Sequence, residues 1–194
     1  VVCTHPEWDA FCAEQAKALR LMGVVPADRV ANIFEAGYLW PSFLAVHDIV
    51  KKLNATHLPI TSIIPPERIL KYCREFQPTV MLSIPTMLVF LADLALKEGV
   101  TFPAMRLVGY AGEAMTPAMK EHVMKGLGAR EVRAMAYSSA DAGLMGYQCE
   151  LSAGTVYHVP TAFQLMEIVD ADARAVPRGE AGDLLVTNFA QLSM

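Results

Sequence analysis

The chain has 194 residues, of which 54% are hydrophobic and 19% charged, with a formal net charge of -4. That is ample apolar material for one good-sized domain or two small ones, and it argues against a disordered chain. Without any Lys/Arg run there is no basic footprint for nucleic acid and no polybasic patch for a membrane surface, so small molecules are the expected partners.

In chain order, Thr4 followed by Glu7 predicts a capped helix running to about Met22, with Trp8, Phe11, Cys12, Ala16 and Leu19 on one face, and Gly23 ends it. A strand is expected over 29–34, a helix over 39–53, a strand over 56–60 and a helix over 66–76. The most apolar stretch, 79–96, is long enough to raise the question of a membrane span, but Pro85 and Asp93 interrupt it. A strand over 79–83 and a helix over 86–98 account for it better, because the apolar pattern resets at the proline. A strand over 106–110, a helix over 117–127 started by Thr116 and Pro117, and a strand over 131–137 follow.

This alternation predicts an α/β fold, a mostly parallel sheet flanked by helices. After Asp141 the pattern changes to short strands over 154–159, 163–170 and 183–189, with the turn-rich 170–182 between the last two. A boundary is therefore expected near Gly154, dividing an α/β core (1–153) from the start of a small antiparallel β subdomain, hairpin or barrel (154–194). No basic leader opens the chain, and Cys3, Cys12, Cys73 and Cys149 lie far apart without a CxxC pair, so a reducing cytoplasm is the default compartment.

Three loops fall at the carboxyl ends of predicted parallel strands, where α/β sheets bind ligands: EAGYLWPSF (35–43), AGEAMT (111–116) and YSSADAG (137–143). In the second, Gly112 permits close backbone approach and the helix begun at Thr116 offers amide donors to an anion. Read alone it is an ordinary strand-to-helix loop with a solvated Glu113. In the third, a ring, two hydroxyls and a carboxylate suit stacking of a base, phosphate contact and Mg²⁺, although Ser, Asp and Gly are also common turn residues.

The order of these segments resembles the phenylacetate-CoA ligase branch of the adenylate-forming superfamily. HDIVKKLNATHLP (47–59) is similar to that family's histidine and "lGAT..P" strand entry, and PPERILKYCREFQPTVMLSIPTMLVFLAD (65–93) to its next helix, strand and helix. AGEAMT resembles the "GAEP.S" adenine loop, YSSADAG the "YG.[ST]E" signature, and GEAGDLLVTNF (179–189) the "GE.GEL.vT.l" strands. The chain would thus be the middle of the family's large N-terminal domain.

The resemblance implies that Ala111, Gly112, Glu113 and Ala114 border the adenine of ATP, that Tyr137 stacks on it, and that Ser138 and Ser139 lie near the phosphates. Asp141 would be the catalytic carboxylate that binds Mg²⁺. A looser carry-over gives the acid pocket Ala36, Gly37, Tyr38 and Tyr110, with Gly143 and Gly146. The implied reaction is ATP-dependent activation of an aromatic or hydrophobic carboxylic acid as its acyl adenylate, then transfer to coenzyme A. No protein nucleophile is required; positioning and charge neutralisation carry it.

The sequence departs from that pattern at Ser138, where the family has glycine, at Ala140, where it has a hydroxyl, and at Asp141, where it has glutamate. The resemblance also places a phosphate loop before Val1, and a ribose-binding aspartate and a mobile domain with a lysine after Met194. The chain is accordingly expected to be incomplete and inactive alone, and an uncovered sheet edge would favour association, a homodimer being one form. Two further readings stay open: an adenylating enzyme of secondary metabolism with another acceptor, and a non-catalytic nucleotide- or acyl-binding remnant. Cys149 and His158 could ligate zinc, but two ligands are too few; His5, His47, His57 and His122 are scattered.

Overall fold

The computed structural model describes residues 3–139 and 141–189. The first helix, α1 (His5–Leu21), begins with the expected capping box: the Thr4 hydroxyl accepts from the Glu7 amide at 3.4 Å and the Glu7 carboxylate accepts from the Thr4 amide at 2.6 Å. Four β/α steps and a fifth strand follow, with strands β1 (Arg29–Asn32), β2 (Thr56–Pro59), β3 (Val80–Ser83), β4 (Leu107–Tyr110) and β5 (Glu131–Ala134). The helices between them are α2 (Ser42–Leu53), α3 (Pro66–Phe76), α4 (Pro85–Glu98) and α5 (Pro117–Leu127).

The five strands are all parallel and lie in the order β2-β1-β3-β4-β5. Successive side chains of a strand point to opposite faces, and the two layers of the core divide accordingly. Val30, Val80, Leu82 and Leu107 pack with α1 and α2, whereas Ala31, Met81 and Val108 pack with α3, α4 and α5. This is a doubly wound sheet: the chain leaves β1 for β2 on one side and β3 on the other, which makes the β1/β3 crevice the topological switch point. On the far layer α4 and α5 approach closely at Gly126, where a Cβ would stand 2.7 Å from the Ala92 backbone.

The amino ends of the strands are tied by the buried Asp28. Its carboxylate accepts the Val25 amide at 2.8 Å, the Thr79 hydroxyl at 2.7 Å and the Arg106 Nε at 3.0 Å, and it also pairs with Arg106 Nη2. Burial opposes ionisation of Asp28, but the hydrogen bonds from Arg106, Val25 and Thr79 outweigh it and hold the carboxyl below the usual carboxylate range. One residue thereby joins the loop before β1 to the starts of β3 and β4.

Three expected elements differ. The helix expected from residue 39 starts at Ser42, because Tyr38 and Leu39 adopt left-handed conformations (φ 53° and 63°) and Trp40 precedes Pro41, which disfavours helix at that residue. The strand expected over 131–137 ends at Ala134; the chain then forms an antiparallel hairpin of β6 (Tyr137–Ser139) with β7 (Gly143–Gly146). Residues 154–159 form no strand and contribute only the Tyr147–His158 bridge. The expected last pair is present as β8 (Gln164–Val169) antiparallel to β9 (Asp183–Asn188).

The apolar stretch 79–96 divides at Ile84 and Pro85 into β3 and the start of α4, and among the described residues no helix is long and apolar enough to cross a membrane. The fold is the α/β class expected, with small antiparallel sheets after the parallel one.

Candidate active site

The loops at the carboxyl ends of β1, β3 and β4 are joined by hydrogen bonds. Ser83 donates its hydroxyl to the Ile33 carbonyl at 3.1 Å across the switch point, and the Ala111 amide donates to the Ser83 carbonyl at 3.3 Å. Beyond β5, the β6–β7 hairpin continues the same rim: Met135 N–H donates to the Tyr110 carbonyl at 2.9 Å, which keeps the chain beside β4 as it leaves the sheet. Ala111 to Ala114 and Tyr137 thus follow neighbouring strands, as the order of motifs requires.

Gly112 has φ 88°, in the region that favours glycine, and it turns the chain over β3, where a Cβ would meet Ile84 at 3.5 Å. Glu113 is not merely solvated. It accepts the Thr86 amide at 2.9 Å and the Thr86 hydroxyl at 2.6 Å, and so caps α4, whose own N-cap residue Ile84 offers no side-chain oxygen. Thr116 caps α5 by accepting from the Met119 amide at 3.2 Å, so the loop between Tyr110 and α5 is fixed at both ends.

Tyr137 is half exposed, at 48%, and its ring lies 5.8 Å from that of Tyr157. One face is therefore supported while part of the ring stays open, an arrangement suited to stacking a planar group. The hairpin register shifts between Tyr137 and Ser138, so that Tyr137 pairs with Gly146, Ser138 with Leu144 and Ser139 with Gly143. The Ser139 hydroxyl accepts from the Ala142 amide at 3.0 Å, which tightens the turn, while both serines and Asp141 are exposed. Ala140, expected to replace a hydroxyl, lies outside the described residues.

Gly143 (φ 68°) closes that turn, where a Cβ would come 3.4 Å from Asn188 Nδ2. Asn188 in turn donates to the Ala142 carbonyl at 2.9 Å, so the end of β9 buttresses the hairpin. Gly146 sits under Tyr157, with a Cβ position 3.1 Å from the Tyr157 Cβ. Across the sheet Ala36 donates its amide to the Thr61 hydroxyl at 3.2 Å, Gly37 bridges to Trp40, and Tyr38 stands 81% exposed.

Tyr110, expected in an acid pocket, is buried at 4% exposure in the α3–α5 layer with Lys120 Nζ 5.3 Å from its ring centroid. Burial and the nearby Tyr157 push its phenol pKa up, and burial pushes that of Lys120 down. Sequence reasoning missed Thr86, Lys120 and Tyr157. Thr86 could have been found as the hydroxyl just inside a proline-started helix, whereas Tyr157 lies in a segment with no local signal.

The donors fit Mg²⁺. It retains water and takes one or two carboxylates plus substrate phosphates, and here Asp141 is an exposed hard oxygen donor between small residues. Among the described residues no group of three or more His, Cys, Asp or Glu gathers to hold a metal without such a substrate.

Residues 55–190 match the family of AMP-binding enzymes. No protein of curated function matches the sequence. Similar solved structures include a 2-hydroxyisobutyryl-CoA ligase in complex with 2-HIB-AMP and CoA, at 19% identity and a TM-score of 0.86, over 97% of this chain and 42% of that one. A long-chain-fatty-acid-CoA ligase from Archaeoglobus fulgidus superposes with a TM-score of 0.74 at 13% identity, over 97% of this chain and 39% of that one. VinN gives 0.76 at 19% identity, over 100% of this chain and 47% of its own. The chain thus spans less than half the length of these structures, whose identity to it is low enough that they establish the fold alone. With well over half of its residues inside the family match, the chain belongs to the AMP-binding enzyme family.

Proposed function

We propose that the protein of which this chain is the central part activates a carboxylic acid with ATP and transfers the acyl group to coenzyme A, as in the phenylacetate-CoA ligase branch of the family. A carboxylate oxygen attacks the α-phosphorus and pyrophosphate leaves; the thiol sulfur then attacks the acyl carbon and AMP leaves. The observation that carries this reading is the placement of the 111–114 loop and the Tyr137 hairpin along one rim, fixed by the Glu113–Thr86 cap and the Asn188–Ala142 bond.

In this reading Ala111, Gly112, Glu113 and Ala114 line the adenine through their backbone, and Tyr137, backed by Tyr157, supplies the stacking face. Ser138 and Ser139 lie near the phosphates. Asp141 holds Mg²⁺, which neutralises the phosphate charge as pyrophosphate departs. The acid lies beside Ala36, Gly37 and Tyr38 and the Gly143–Gly146 strand, and Tyr110 forms part of the floor beneath. The exposed rings of Tyr38 and Trp40 support an aromatic or hydrophobic acid. We also propose a subdomain boundary near Gly154.

The changed residues of the hairpin, Ser138 and Asp141, favour a second reading in which the acceptor is an amine or carrier rather than coenzyme A. Mass analysis of products from full-length protein given ATP, an acid panel and either coenzyme A or hydroxylamine separates the two. A thioester formed with coenzyme A supports the first. Acyl adenylate that passes to hydroxylamine but never to coenzyme A supports the second.

A further inference from the structure

A nucleophilic cluster stands apart from the candidate active site, beside the edge strand β5. Cys149 Sγ lies 3.0 Å from His158 Nε2, accepts the Leu151 amide at 3.3 Å, and stands 3.6 Å from the Ser152 hydroxyl, which donates to it. Ser152 also accepts the Cys149 amide at 3.0 Å, so the 149–152 turn is closed around the sulfur. The Tyr147–His158 pairing positions this residue: the His158 backbone amide donates to the Tyr147 carbonyl at 2.8 Å, and the Tyr147 ring stacks on the imidazole at 5.5 Å.

We propose that Cys149 is a reactive thiol that exchanges with small disulfides to form a mixed disulfide, with His158 taking and returning the proton. Two donors, the Ser152 hydroxyl and the Leu151 amide, converge on one sulfur with the His158 imidazole beside it, and His158 and Leu151 are exposed. The other thiols differ: Cys12 and Cys73 are fully buried, and burial pushes each up to about 12. At Cys149 the Ser152 hydroxyl, the His158 imidazole and the Leu151 amide bring the pKa down to about 7. The charged and titratable groups around it are Arg133, which donates to the Cys149 carbonyl and pairs with Glu131, then Glu150, Tyr147, and Glu14 and Lys17 of α1 beyond Tyr147.

Among the described residues no other exposed thiol lies near Cys149. Cys3, the remaining exposed thiol, precedes the amino end of α1, whereas Glu150 N–H bonds Leu21 at its carboxyl end. A helix of 17 residues separates them, roughly 25 Å. In the exchange the Cys149 sulfur attacks one sulfur of RSSR and RS⁻ departs. The thiol proton passes through His158 to RS⁻, so one thiol and one disulfide are consumed and one of each is formed.

Alkylation of the full-length native protein by iodoacetamide between pH 5 and 10, read peptide by peptide, tests the first part. The Cys149 rate is expected to rise with a midpoint at about 7, against roughly 8.5 for an ordinary thiol. His158→Gln and, separately, Ser152→Ala are each expected to raise the midpoint by about one unit. Oxidised glutathione in excess is expected to add one reducible adduct on the Cys149 peptide. A wild-type midpoint near 8.5, a midpoint that neither variant moves, or no adduct would overturn the proposal.

Discussion

The Glu113 carboxylate sits on the amino end of α4, where Oε2 accepts the Thr86 amide at 2.9 Å and the Thr86 hydroxyl at 2.6 Å. A residue of the β4 loop thus fixes the start of the helix that follows β3, and the two neighbouring loops behave as one unit. Removing the cap should cost both stability and loop order. Glu113→Ala is expected to lower the unfolding free energy by about 1 kcal/mol in denaturant titration, with Glu113→Gln losing less than half of that. An unchanged midpoint in Glu113→Ala would show that the cap adds nothing to the fold.

Tyr137 is the stacking face of the proposed site, with Tyr157 behind it at 5.8 Å. Aromatic–base stacking contributes roughly 1–3 kcal/mol, so Tyr137→Ala should weaken ATP binding by about tenfold or more, while Tyr137→Phe should leave it near wild type. Calorimetric titration of the two variants checks this. Equal losses in both would point to the hydroxyl rather than the ring.

Asp28 gathers four donated hydrogen bonds, two of them from Arg106. Asp28→Ala should destabilise the protein by about 2 kcal/mol, because it leaves the Val25 amide, the Thr79 hydroxyl and the partly exposed Arg106 without their acceptor. Because its folded-state pKa is depressed, the stability it contributes is present above the unfolded value of about 3.9 and is lost as pH falls through the lower folded value. Urea titrations at pH 7 and pH 3 should show the Asp28→Ala penalty shrinking at the lower pH.

His57 adds to the same acid sensitivity over a higher pH window. Its Nε2 lies 3.3 Å from Asn32 Nδ2 and its Nδ1 lies 3.2 Å from His47 Nδ1. Burial, then the neighbouring His47, lower its pKa to about 4. The unfolded chain therefore binds a proton near pH 6.5 that the folded chain refuses until about 4, and stability falls across that window on acidification. His57→Gln should flatten that part of the pH–stability curve, measured by thermal unfolding from pH 7.5 to 4.

Much of the parallel half was legible because its signals are local. Thr4 with Glu7, Thr116 with Pro117 and the break at Pro85 each mark a boundary within a few residues, and all three mark helix starts in the structure. The misread segments depend on contacts that sequence does not display. Tyr137 to Ser139 leaves the parallel sheet because Gly143 to Gly146 folds back on it, with Asn188, some forty-six residues beyond Ala142, holding the turn. Residues 154–159 have a strand-like pattern, but only Tyr147 pairs with them, at His158. Glu113 looked solvated because its partner Thr86 lies twenty-seven residues away.

The central claim is adenylation at the Tyr137 hairpin, and carboxylate-dependent exchange of labelled pyrophosphate into ATP by the full-length protein tests it most directly. Exchange with at least one acid of an aromatic and aliphatic panel, lost in Asp141→Ala while nucleotide binding persists, is the expected result. A folded protein that binds ATP yet exchanges no pyrophosphate with any acid, or an Asp141→Ala variant that exchanges at the wild-type rate, would contradict it.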